Sequence, residues 1–430
     1  MEMKRKGKSF SQLIDRHLSE IKRGGIKILL RKIVSFLKKI ATIPLMILLF
    51  PVVLCIRIVK PWVLVRFGGI VGSRIGHFAV NTELYLCSSD INGKRRKVVD
   101  LLFYLGPPCN MQLHKMFSRV VNIRGSFVYY LNKVNKMFPE SEEHTVDSLS
   151  TLSGLSTDRD IYGWFDKTEP HLRFTDEEEL LGLSELRKLG VPEGKKFICM
   201  HARDSAYLDK VIPHNNWEYH NHRDCSINSF LLAADELTKR GYYVIRVGFI
   251  VKEELQADNP MIIDYAKKAR TDFMDIYLGA KCHFFLGSCA GVTAIPVIFR
   301  RPNIFTNYIP IEYVYSWSVK DSFIPKKLKW RDSGRLITLK EVIDLGIGRF
   351  LNKNLYDSMK IDIIDNTPEE ILDIVIEMEE RLRGVWQQEA NDENLQKRFW
   401  SFFKKDELNN VFASRIGSKF IKANMYLLEQ

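Results

Sequence analysis

The chain has few of the residues that build cross-links. It carries seven cysteines in 430 residues, at 55, 87, 109, 199, 225, 282 and 289, odd in number, far apart and without a Cys-x-x-Cys. Neither a disulfide framework nor a zinc knuckle is signalled, and a reducing, cytoplasmic setting fits. There is no Gly-x-x-x-x-Gly-Lys-Ser/Thr run, which argues against a P-loop NTPase, and no His-Glu-x-x-His to phase a metal pair on a helix. Low-complexity tracts and repeats of about 20 to 50 residues are absent as well, so solenoids and propellers are out. The body also lacks net charge. Up to Arg66 there are 15 Lys and Arg against Glu2, Asp15 and Glu20, a net of +12 that equals the charge of the whole chain, so residues 67 to 430 sum to zero. Nucleic-acid-binding domains carry their basic stripe on the folded surface, and a neutral body argues against one.

The basic end therefore needs its own explanation. Phe10, Leu13, Ile14, Leu18 and Ile21 recur at helical spacing, and after Gly24-Gly25 the pattern restarts with Ile26, Leu29, Leu30, Ile33, Leu37 and Ile40, with Lys27, Arg31, Lys32, Lys38 and Lys39 off the stripe. An uncharged run of 17 residues follows, Ile40 to Ile56, broken by Pro44 and Pro51. Crossing a bilayer core takes about 20 apolar residues. Residues 1–60 are accordingly expected to form an interfacial or re-entrant anchor, peripheral or monotopic, whose apolar side chains enter the acyl boundary while Lys and Arg meet anionic lipid heads. A transmembrane helix over 40–56 and a helical hairpin packed on the body are the alternatives.

From Trp62 the chain alternates strands and helices. Trp62 to Gly69 reads as a buried strand ending in a glycine loop that contains Gly72, Arg74, Gly76 and His77, and Val98 to Leu105 reads as a second strand before a helix over 111–121. Residues 139–174 lose periodicity. Thr175 and Glu178 then open a helix with a capping box, and the pattern becomes regular: strand 197–201, helix 229–240, strand 243–247, helix 272–280, strand 282–286, and strand 303–307. Thr367-Pro368-Glu369-Glu370 caps a long helix to Arg383. The expected fold is α/β of GT-B type, two Rossmann-like doubly wound domains facing a cleft. The expected division is 1–60 membrane segment, 61–174 acceptor domain and linker, 175–350 donor domain, and 351–430 helices packing back.

Three loops at strand ends carry the candidate chemistry. His201-Ala-Arg203-Asp204 places a guanidinium where it can grip a phosphate, with Asp204 to orient it; an ordinary buried Arg–Asp pair is the alternative. Gly287-Ser288-Cys289-Ala290-Gly291, with Thr293, supplies backbone N–H groups at a helix start, and Arg246 and Gly248 end a neighbouring strand. On the acceptor side Gly69, Gly72, Arg74 and Gly76 surround His77, whose imidazole can take a proton near neutrality. His214, His220, His222 and Asp224 lie near one another without metal spacing and read as loop residues.

At these residues the sequence resembles a family of bacterial glycosyltransferases of the GT-B fold that accompanies surface-polysaccharide genes. The matching stretches are Arg74 to His77, His201 to Asp204, Asn228 to Gly248, Phe284 to Gly291, and Asn366 to Trp386. More distantly it is similar to fucosyltransferases and heptosyltransferases. The resemblance implies a nucleotide-sugar donor held by Arg203 and the loop Ser288 to Thr293, and transfer with inversion to an acceptor hydroxyl. No metal, cofactor or nucleic acid is expected, and the basic end leads to the expectation of a lipid-linked glycan acceptor at the cytoplasmic face of the inner membrane. Two positions depart from the pattern: Asp204 stands where fucosyltransferases carry a second arginine, and Ala290 stands where relatives often carry a hydroxyl. A sugar-nucleotide epimerase or hydrolase on the same fold, or a catalytically silent membrane-associated scaffold, are the competing readings.

Overall fold

The computed structural model describes residues 25–26, 29–30, 33–34, 37, 40–93, 97–146, 158–206, 210 and 217–429. The amphipathic stretch Phe10 to Ile21 and the basic positions Lys27, Arg31, Lys32, Lys38 and Lys39 lie outside the described residues.

The chain forms two compact units, one from residues 1–67, 96–101 and 124–145, the other from 68–95, 102–123 and 146–430. In the first, helix α1 (Ile43–Ile58) packs against helix α4 (Ser126–Asn135) and buries Leu49 and Val53. Phe50 stacks on Phe138 with ring centroids 4.9 Å apart, and Arg57 donates to Asn135 Oδ1 at 3.0 Å. Among the described residues no helix is long and apolar enough to cross a membrane.

Strands β1 (Leu64–Ile70) and β2 (Val98–Tyr104) make a sheet of two by themselves. This differs from the two doubly wound domains expected. The chain after β2 goes into helix α3 (Met111–Val120) and α4, then loses periodicity, and no third strand forms before residue 174 among the described residues. Helix α2 (Ile75–Asn92), which follows β1, belongs to the second unit.

The second unit is built on seven strands: β3 (Phe197–His201), β4 (Tyr243–Arg246), β5 (Ile262–Asp264), β6 (Phe285–Gly287), β7 (Asn303–Tyr308), β8 (Ser322–Pro325) and, near the C-terminus, β11 (Arg415–Ile416). Their order is β11-β8-β7-β6-β3-β4-β5, and every neighbouring pair is parallel. Strands β9 (Lys327–Trp330) and β10 (Ile361–Ile364) form a separate antiparallel pair. A parallel sheet is covered on both faces, so its strands read as continuous apolar runs. In β3, Phe197 and Cys199 point into one core with Ile245, Tyr277 and Leu278, while Ile198 and Met200 point into the other with Leu286 and Ile304.

The helices stop and start where their end residues dictate. Helix α5 (Asp176–Lys188) opens on the Thr175–Glu178 capping box; helix α6 (Pro368–Arg383) opens on Thr367–Glu370 with proline in its first turn and closes at Gly384, φ 73°. Inside α5, Gly182 is required by packing. A Cβ there would lie 2.1 Å from the Tyr277 ring. Alanine in a helix interior ordinarily gains about 1 kcal/mol over glycine; at this position overpacking wins, so Gly182→Ala is expected to destabilise by about 1–3 kcal/mol. Equilibrium urea unfolding checks this, the midpoint falling rather than rising.

Candidate functional site

The order of strands locates the site. From β3 the chain winds outward through β4 and β5, returns to β6, and winds the other way through β7 and β8. The reversal lies between β3 and β6, and the crevice outside the carboxyl ends of such strands is where open α/β sheets bind ligands. The loops leaving these two strands are His201–Asp204 and Gly287–Gly291, and they are bonded to each other. Ser288 N–H donates to the His201 carbonyl at 3.1 Å, and Arg203 N–H donates to Ser288 Oγ at 2.8 Å. Ser288 is fully buried and Arg203 is 9% exposed.

Cationic groups gather around that link. Arg203 Nη1 donates to the Asp224 carboxylate and to the His220 carbonyl, the latter at 3.2 Å. Arg223 Nη2 reaches the Cys289 carbonyl at 2.9 Å and its sulfur at 3.2 Å, and its buried Nε has no partner. Lys326, 7% exposed, donates to the Asp224 carbonyl and to Asp365 Oδ1, both at 2.6 Å. Among the described residues the N–H groups of Cys289, Ala290 and Gly291 donate to no protein acceptor. Helix α2 closes on the same loop: a methyl on Gly76 would sit 3.4 Å from Gly291 Cα, so glycine at both positions permits the approach. This brings Arg74, the N-cap of α2, near enough for its charge to be felt at His220. Neither Arg223 nor Arg74 has a carboxylate partner among the described residues.

Burial and these cations set the titration of the site. Burial pushes the Asp224 carboxyl up to about 6 against the pull of Arg203 and Lys326. Burial, then Arg223, Arg203 and Arg74, hold His220 down to about 4; burial and Arg223 hold His222 down to about 3. His201 is lowered too, chiefly by burial. Arg203 is itself depressed by burial and by Arg223. The histidines are therefore neutral at physiological pH beside guanidinium groups, an environment that favours an incoming anion.

The structure places the sequence-predicted residues as follows. His201, Arg203, Ser288, Cys289, Ala290 and Gly291 converge. Gly287 ends β6 with a would-be Cβ 2.8 Å from the Phe285 ring, and Thr293 Oγ1 donates back to the Ala290 carbonyl at 2.6 Å. Asp204 does not hold Arg203 as the sequence suggested. Its oxygens accept from Ala206 N–H at 3.0 Å and Lys252 N–H at 2.8 Å, which folds the loop, and Asp224 takes the arginine instead. Arg246 is 2% exposed and donates to Asp264 at 3.2 Å, and Gly248 lies against Val251 and His201. Gly69 and Gly72 pack on Leu105 and Tyr104. His77, in the first turn of α2, keeps a buried Nδ1 without a hydrogen bond. The helix expected after Gly291 is a 3-10 turn over Gly291–Thr293 followed by five residues, Ala294–Ile298. So short a helix lends little dipole, and the anion-attracting groups are the loop N–H groups and side-chain cations.

Sequence reasoning missed Arg223, Asp224 and Lys326 as site residues. The available signal was the run His220-Asn-His-Arg-Asp224 in the long connection after β3, and it has no periodicity to say which way it faces.

A second cluster lies apart. Glu83, Cys87 and His171 bring ligand-type atoms within 4.8 Å of one another. Arg300 Nη2 occupies the middle, 2.8 Å from Glu83 Oε1 and 3.5 Å from Cys87 Sγ. Burial opposes a charge on His171, but Cys87, Glu83 and Asp90 outweigh it and push its pKa up to about 10. A protonated imidazole offers no lone pair to a metal. The cluster reads as a buried ion network joining α2 to Arg300. The one Asp-x-Asp of the chain, Asp158-Arg159-Asp160, is similarly occupied, since Asp160 accepts from Trp164 and Phe165 N–H at 2.8 Å. A cavity of about 320 Å³ lined by Leu183, Leu186, Pro192, Tyr277 and Lys281 includes Phe197, at the opposite end of β3 from Arg203.

No protein-family model and no curated protein matches the sequence. Among solved structures the chain is similar to E. coli ADP-heptose LPS heptosyltransferase II, at 12% identity over 60% of this chain and 90% of that one with a TM-score of 0.36. It is also similar to a glycosyl transferase family 9 protein from Veillonella parvula DSM 2008, at 10% identity over 57% and 80% with a TM-score of 0.33. At such TM-scores the likeness settles neither fold nor activity.

Two outcomes are expected. Ser288→Ala leaves the Arg203 N–H buried without an acceptor, which costs about 1–3 kcal/mol and lowers the thermal midpoint. Sulfate keeps its charge between pH 7.5 and pH 5. Protonating Asp224 below about 6 releases Arg203, so sulfate affinity by calorimetry rises as pH falls through that value, and Asp224→Asn flattens the rise.

Proposed function

We propose that this protein is a glycosyltransferase that moves a sugar from a nucleotide-sugar donor to a hydroxyl of a lipid-linked glycan acceptor. The setting is bacterial surface-polysaccharide synthesis at the cytoplasmic face of the inner membrane. The observation that carries the reading is the convergence of Arg203, Arg223 and three unpaired loop N–H groups at the reversal point of a parallel sheet. A diphosphate is the common chemical group that uses planar guanidinium forks and loop N–H donors together.

On this reading residues 175–350 hold the donor, residues 61–174 receive the acceptor, 351–430 pack back on them, and 1–60 meet the membrane. As the anomeric bond breaks, negative charge grows on the leaving diphosphate. Arg203 and Arg223, already desolvated and fixed, stabilise that charge more than they stabilise the intact donor, which lowers the barrier. The second guanidinium that Asp204 withholds from the β3 loop is supplied by Arg223, and the missing hydroxyl at Ala290 leaves backbone donors to do its work. The acceptor hydroxyl attacks the opposite face with inversion, and His77 takes its proton. The arginines supply the electrostatic role that a divalent cation fills in other transferases.

A thermal-shift screen against UDP-, GDP-, CMP- and dTDP-sugars identifies the donor. With that donor, Arg203→Ala and Arg223→Ala are each expected to lower transfer by about 100-fold or more, the scale of removing one fixed donor to a developing anion. Circular dichroism and gel filtration should show both folded. Full activity in the Arg203 variant overturns the assignment, and turnover at the same rate without acceptor favours an epimerase or hydrolase.

A further inference from the structure

Helix α1 stands out among the described helices in what it leaves uncovered. Its buried residues are Leu49 and Val53, one stripe facing α4. At 100° per residue the rest of its circumference carries Ile43, Ile47, Leu48, Phe50, Leu54 and Ile58, exposed by 51, 69, 70, 44, 43 and 61%. From Ile43 to Ile56 there is no charged and no hydroxyl- or amide-bearing side chain. Soluble monomers scatter exposed apolar residues singly, and a contiguous apolar surface marks a contact.

The sequence periodicity upstream suggested a helix lying in the interface, apolar below and basic above. α1 is different, because it has no polar face to leave in water. The one basic side chain of α1, Arg57 in its last turn, is engaged on Asn135 and the Pro139 carbonyl, and Lys60, just after the helix, on Glu143. Sixteen residues rise about 24 Å, short of the roughly 30 Å hydrocarbon core. A helix with an apolar outer surface that is too short to span fits within one leaflet.

We infer that α1 is immersed among acyl chains of an anionic bilayer by its whole outer circumference, held to the protein by the Leu49–Val53 stripe. This rests on the membrane association proposed above and specifies its contact. A second copy of the chain is the competing occupant, and charge decides against it. Residues 4–39 hold 12 Lys and Arg against two acidic residues, Asp15 and Glu20. Pairing α1 with α1 would bring two such ends together, whereas anionic headgroups attract each basic residue.

The test uses the full-length chain and the triple variant Ile47→Glu/Leu48→Glu/Leu54→Glu, whose wild-type side chains are exposed and whose folding is checked by circular dichroism. Each is sedimented with vesicles of phosphatidylglycerol and phosphatidylethanolamine, then washed at high salt. Wild type should stay in the washed pellet, and the variant should be depleted by more than about tenfold, since three apolar contacts with the acyl chains are lost together. The Cys55 thiol, exposed in the lipid-free protein, should become resistant to an aqueous maleimide when vesicles are present. Equal salt-resistant binding of variant and wild type overturns the insertion of α1 while leaving membrane association standing. Absence of wild-type binding overturns both. A lipid-free dimer that protects Cys55 and is split by the same substitutions assigns the surface to a second copy and overturns the inference.

Discussion

Two hydrogen bonds between the loops of β3 and β6 hold the site together. Ser288 gives its N–H to His201 and takes the N–H of Arg203, so the backbone that carries the guanidinium and the backbone that offers free N–H donors are fixed to each other before any ligand arrives. The groups they position repel one another. Arg203 and Arg223 depress or oppose each other's neighbours, and left to themselves such side chains would swing towards water. Neutral bonds in a buried place, with Asp224 and the Asp365-paired Lys326 behind them, are what keep the cations assembled. Rate enhancement by fixed charges depends on that prior cost having been met in folding.

The parts of the fold that repeat a local rule were legible in the sequence. Strand β3 occupies the expected residues 197–201, and α5 and α6 begin at the capping boxes that Thr175 and Thr367 announce. The two parallel-sheet loops were legible because glycine and small residues punctuate strand ends. What escaped depends on contacts between distant segments. Asp204 follows Arg203 in the chain, but a loop that turns directly after a strand needs acceptors for its own N–H groups, and Asp204 serves Ala206 and Lys252. The carboxylate on Arg203 comes from a residue 21 positions on, in a connection without hydrophobic period. The shortfall of strands around β1 and β2 has the same origin: two apolar runs are visible, whereas a doubly wound domain would need more, and the chain beyond them is helical or aperiodic.

Charge is segregated in the sequence, and the structure gives each part a different physical task. In the sequence, the excess of the first 66 residues adjoins the segment that forms a helix with an apolar outer surface. Beyond residue 67 the balance is neutral, yet neutrality of a sum hides local imbalance, and the site at β3 and β6 is where it is kept.

The contrast between the two buried ionic clusters of the second unit sharpens this. Around Glu83 the charges cancel: Arg300 and protonated His171 face Glu83 and Asp90, and the basic groups are spent on carboxylates and carbonyls already present. Such a network finishes a packing problem. At the sheet reversal, among the described residues, Arg223 has only a carbonyl and a sulfur, its Nε has no partner, Arg74 has no carboxylate, and the N–H groups of Cys289, Ala290 and Gly291 meet no protein acceptor. The nearby histidines respond by staying neutral rather than adding charge. A buried donor left unmatched raises the free energy of the empty state, and Arg223 Nε is such a donor. On the function proposed above, an incoming diphosphate supplies the acceptor that this guanidinium lacks.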